Sequence, residues 1–95
     1  MAVKIVKLVT GEELIGEVSV HEITMTIKQP CVIQMVPGRT DPNNPMLALI
    51  PYAMYTMNHS VDVDVDKIIW EEEPVRELYN QYNSIFGSGI QLATL

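Results

Sequence analysis

The stretch that decides the fold is Ser60–Trp70, SVDVDVDKIIW. Asp62, Asp64 and Asp66 recur there at every second position, and Glu73 lies eleven residues beyond Asp62. That spacing imitates a calcium-binding EF-hand loop, and it equally fits a β-strand with one acidic face. The loop needs glycine at its sixth position, where the backbone takes a positive φ, and this chain has Lys67 there. Val63 and Val65 add β-branched residues that prefer extended backbone. Same-face residues of a strand stand roughly 7 Å apart, too far for three carboxylates to meet an ion whose ligands sit about 2.4 Å away. The reading is a strand with a solvated acidic face, which Lys4, Lys7, Lys28 or Arg39 could pair across strands.

Composition is consistent with that choice. Ninety-five residues make one small domain with room for a single modest core. Hydrophobic residues are 47% of the chain, and valine, isoleucine and methionine outnumber the six aromatics, which favours sheet. The lone Cys31 sits between Pro30 and Val32 in an apolar run and reads as a buried thiol in a reducing compartment. No stretch reads as a signal peptide, and none reaches the roughly 20 apolar residues that cross a bilayer. A soluble, cytoplasmic protein without membrane contact is expected. A formal charge of −6 opposes nucleic-acid binding in general, and no DNA partner is expected.

Outward from the deciding stretch, period-2 alternation recurs. Val3–Val9 reads as a strand, and Thr10, Gly11 and Glu12 turn the chain. Leu14, Gly16, Val18 and Val20 then share one face, with Gly16 marking a bend or a close backbone approach. Ile23, Met25 and Ile27 restart the alternation, Cys31–Val36 continues it past Pro30, and residues 37–45 form a loop rich in proline and asparagine. Met46–Met57, broken at Pro51, reads as a fourth strand, and Val61–Trp70 as a fifth. Only the end changes period. Pro74 suits a helix's first turn, Val75, Leu78, Tyr79, Tyr82, Ile85 and Phe86 share one side, and Gly87 is a plausible stop. The expected architecture is mainly β: a strongly bent five-stranded antiparallel barrel over 1–73, with a C-terminal helix and tail over 74–95 covering its end.

On that layout, LVTGEELIGEVSVHEITMTI (Leu8–Ile27) resembles the first motif of the Sm and Sm-like (Lsm, Hfq) proteins. Gly11 and Gly16 match its two glycines, Leu14 the apolar residue between them, Glu22 the acidic position and Met25 the methionine. VDVDKIIW (Val63–Trp70) resembles the second motif in its apolar frame, and the acidic cast with its NQYNSIFGSGI ending is similar to small Sm-like proteins of phage and marine origin. The resemblance implies an SH3-like barrel that forms homo-oligomeric rings, here through Leu47–Met57 and Val61–Trp70. It also implies a pocket for single-stranded RNA, with His21, Glu22, Met25, Thr26, Asp64 and Lys67 as the candidate residues. Thr26 stands where the family has asparagine, and Asp64–Val65 where it has Arg-Gly. An aspartate repels the phosphate backbone that an arginine attracts. The alternative reading is an oligomeric scaffold or protein-binding module, of phage type, that binds no RNA.

No enzymatic reading is supported. His59, Ser60 and Asp62 are neighbours on a turn and strand, without the geometry of a nucleophile, base and orienter. His21, His59 and Cys31 are too scattered for zinc, and no phosphate loop or nucleophile elbow appears, so no cofactor or metal is expected. Glu12 and Glu13 read as a solvated pair. Tyr52 and Tyr55 fall on opposite faces of the expected fourth strand, leaving one for the core and the other to stack on a partner or a base. Tyr79 and Tyr82 read as the cover of the barrel end.

Overall fold

The computed structural model describes residues 2–86. Its elements in chain order are β1 (Ala2–Leu8), β2 (Glu13–His21), β3 (Thr24–Val36), β4 (Met46–Pro51), β5 (Ser60–Asp64), a 3₁₀ turn (Val65–Lys67), β6 (Ile68–Glu72) and α1 (Arg76–Phe86). The strands form one antiparallel sheet in the order β4-β3-β2-β1-β6, with β5 also pairing with β3. The fold is therefore mainly β with a C-terminal helix, as expected, but it has six strands and the sheet stays open. Gly87 and the tail beyond it lie outside the described residues.

Two expected strands are shorter than their patterns. Val61–Trp70 divides at Val65–Lys67, where the 3₁₀ turn redirects the chain from β3 to β1. Met46–Met57 ends as a strand at Pro51, and Ala53 at φ 57 then turns the chain away. Residues 52–59 form a strap closed by turns, with Thr56 N–H donating to Ala53 O at 3.1 Å and Ala53 and His59 at positive φ. Tyr52 and Tyr55 thus belong to the strap rather than to a strand.

The long β3 explains the layout. Its first half, Thr24–Lys28, pairs with β5, and its second half, Cys31–Val36, pairs with β4. Between them Gln29 takes φ 50 and interrupts the pleat. The strap is tied there at both ends, by Gln29 N–H to His59 O and Tyr52 N–H to Pro30 O, each 2.8 Å. Gly16 faces this break. A Cβ on Gly16 would stand 2.6 Å from Ile27 Cγ2 and 2.9 Å from the Lys28 carbonyl, so only glycine lets β2 and β3 approach. Gly11 closes the β1–β2 turn at φ 108.

Because strand side chains alternate, both faces of the sheet are apolar. One face buries Val6, Leu8, Leu14, Val18, Met25 and Ile27, with Val61, Val63 and Ile68 packed against them. The other buries Ile15 and Cys31 beneath Leu78 and Tyr82 of α1. The helix lies on this second face rather than over a barrel end. It opens at Arg76 with Tyr79 N–H bonded to Val75 O at 3.0 Å, so Pro74 precedes the first turn instead of occupying it. Leu78 and Tyr82 are buried, whereas Val75, Tyr79 and Ile85 are exposed, so Tyr79 does not join the cover. Tyr82 hydroxyl lies 3.1 Å from Lys28 O and 3.0 Å from Gln29 O, so α1 is fastened at the β3 break.

Candidate functional site

Of the six residues that the Sm-like resemblance singles out, His21, Glu22, Asp64 and Lys67 gather around one end of the sheet. The β2–β3 turn brings His21 and Glu22 to the outside, with Glu22 at φ 57 and its Oε2 4.0 Å from His21 Nε2. Val65 N–H donates to Ile23 O at 2.9 Å, which docks the 3₁₀ turn against that hairpin. Asp64 is thereby fixed opposite Thr24, and Ile23, Asp64, Val65 and Asp66 line a shallow hollow. Lys67 is exposed on the same turn, where its carbonyl accepts the Val9 N–H at 2.9 Å.

Met25 and Thr26 lie elsewhere. Met25 is 1% exposed and belongs to the first core, so its thioether packs inward. Thr26 sits on the opposite face, where its hydroxyl lies 2.7 Å from Asp62 Oδ1. The alternation that makes Met25 a core residue sends Thr26 outward. One surface cannot hold both side chains.

The acidic strand is satisfied differently from the expectation. No cation among the described residues lies within 4.0 Å of Asp62, Asp64 or Asp66; Lys4 instead reaches Glu73 at 3.8 Å and Lys7 reaches Glu13 at 3.5 Å. Among the described residues, no three carboxylate, imidazole or thiol groups converge as metal ligands would. Asp62 and Asp64 are on a strand and Asp66 is in the turn.

Other sequence candidates find structural partners. Glu12 is hydrogen-bonded to the Thr10 hydroxyl, which with the backbone N–H holds its carboxyl below the ordinary range, and the Tyr52 hydroxyl donates to it at 3.3 Å. Burial and the Glu12 charge push the Tyr52 phenol up. Cys31 is 1% exposed, and burial pushes its thiol up to about 11, away from reactivity at neutral pH.

Features that the alternation pattern did not single out are the strap and the sheet margins. Tyr55 and Met57 are 96% and 94% exposed on the strap, and Ile69 and Trp70 are exposed on β6. β6 ends the strand order and has only β1 beside it among the described residues, while β4 and β5 each border only β3. The interruption at Gln29 and Pro30 is visible in the sequence, but not its consequence, that β4 and β5 pair with different halves of β3. No helix among the described residues is long and apolar enough to cross a membrane. No protein-family model and no curated protein sequence matches the chain.

Proposed function

We propose that this chain is a non-enzymatic, Sm-like protein whose copies join margin to margin into a closed homo-oligomer that serves as a scaffold. The observation that carries the reading is the pair of open margins, β6 on one side and β4 with β5 on the other, on a sheet apolar on both faces. Unpaired strand margins present rows of free N–H and C=O groups, and a neighbouring copy satisfies them without leaving an end in a ring. The two Sm-type glycines support the same reading, since Gly11 makes the turn and Gly16 the close crossing that bends such a sheet.

The scaffold role is preferred over an RNA-binding ring on chemical grounds. The candidate pocket residues divide between core and surface, Thr26 is engaged by Asp62, and the neighbouring carboxylates Asp62, Asp64 and Asp66 repel phosphate. Size exclusion with light scattering tests assembly: a mass of several times 10.7 kDa is expected, and a monomer at all concentrations would refute it. Titration of fluorescent oligo-uridine at low salt tests the cargo. No binding is expected; salt-sensitive binding weakened by His21→Ala would restore the RNA-binding ring.

A further inference from the structure

We propose that the strap formed by residues 52–59 binds a soft monovalent metal ion, of the Cu(I) or Ag(I) class, through the thioethers of Met54 and Met57 and the imidazole of His59. The inference goes beyond the assembly reading and does not depend on it.

The strap is an insertion that strand pairing does not require. Pro51 pairs with Cys31 and Ser60 with Lys28, so eight strap residues stand against two on β3, Gln29 and Pro30. The surplus is folded into two successive turns, with Thr56 N–H donating to Ala53 O at 3.1 Å and His59 N–H to Thr56 O at 3.4 Å. Met54 and Met57 hold the same place in the two turns, each directly after the accepting residue, and His59 closes the second. Such a turn keeps its first and last Cα atoms within about 7 Å, so the three side chains start from neighbouring points on a short backbone. That backbone is fastened by Gln29 N–H to His59 O, by Tyr52 N–H to Pro30 O and by the Thr56 hydroxyl to Ala53 O at 2.8 Å. A fixed frame is what holds ligand side chains in common reach.

The side chains themselves are turned to solvent and uncommitted. Met54, Met57 and His59 are all exposed, and no ion pair or side-chain hydrogen bond among the described residues engages them. Their chemistry selects the ion. Thioether sulfur is soft and polarizable and favours Cu(I), whereas carboxylates and carbonyls favour calcium or magnesium. The strap contains no aspartate or glutamate, and among the described residues no three carboxylate, imidazole or thiol groups converge, so zinc and calcium have no ligand set there. Methionine has three rotatable bonds, which lets each sulfur approach the His59 ring while the backbone stays in place. Cys31, also a soft ligand, is buried beneath α1.

Titration of the full chain with Ag(I), a redox-inert probe, tests this when followed by the methionine methyl and histidine ring signals in NMR. Cys31→Ala serves as the background, which removes the competing thiol. One equivalent should bind and shift Met54, Met57 and His59. Met54→Leu with Met57→Leu should weaken binding by roughly tenfold or more, and His59→Ala should weaken it as well. Met35→Leu with Met46→Leu, the same change at two exposed methionines of β3 and β4, should leave the affinity unaltered, and Zn(II) should not compete. The proposal is overturned if Ag(I) does not bind, if binding survives loss of both strap thioethers or of the imidazole, or if Zn(II) displaces the silver. Leucine keeps the apolar volume of methionine, and circular dichroism of each variant separates a lost site from a lost fold.

Discussion

Gly16 sets how closely β2 and β3 cross. Its missing Cβ is what allows β2 to pass the break in β3, and an alanine would press on a backbone carbonyl that cannot rotate away. Gly16→Ala should cost about 1–3 kcal/mol, the usual penalty of overpacking, read as a lower midpoint in urea unfolding. An unchanged midpoint would mean that the crossing has slack. Cys31 and Tyr82 are the residues whose protons matter. Both are acids that burial keeps protonated in the folded chain, with the Glu17 charge adding to the effect on Tyr82. The unfolded Cys31 ionises first, near its ordinary value of 9.0. The thiol's contribution to stability is therefore constant below about pH 9 and is lost as pH rises to about 11, by about 2–3 kcal/mol. Tyr82 continues the loss above the ordinary tyrosine range. Urea unfolding across that interval should show the fall, and Cys31→Ala should flatten its first part.

At the scale of elements, α1 is held by few groups. Its mean composition is polar, and it docks through Leu78, Tyr82, part of Phe86 and three polar contacts to strands, from Gln81 and Tyr82. Tyr82→Phe should cost about 1–2 kcal/mol because two β3 carbonyls lose their donor, whereas Leu78→Ala should cost about 2–4 kcal/mol through the cavity it leaves. Thermal unfolding separates the two, since 1 kcal/mol moves the midpoint of a domain this size by about 4–8 °C. Equal effects would show that α1 is fixed by area alone. The strap behaves oppositely. Tyr55 and Met57 contribute almost nothing to the cores, so replacing both with serine should leave stability within about 0.5 kcal/mol. A larger drop would mean that the strap packs on something beyond the residues described.

The whole molecule is a single sheet with a core on each face, one closed by its own strands and the other by α1. That arrangement uses the chain's high apolar content. Much of this was legible in sequence. The alternations placed β1, β2 and both halves of β3, Gly11 and Gly16 announced the turn and the crossing, and Leu78 and Tyr82 announced the buried stripe of α1. Lys67 in place of glycine decided for a strand at Ser60–Asp64, because local backbone preference needs no tertiary partner. What the sequence could not fix was where pairing stops. Gln29, the division of Val61–Trp70 at Val65–Lys67 and the strap depend on which strand lies beside which, and alternation reads the same whether a strand pairs for five residues or ten. The candidate site shows the same limit: adjacent Met25 and Thr26 look like one motif in a line of letters, but the pleat sends them to opposite faces of the sheet.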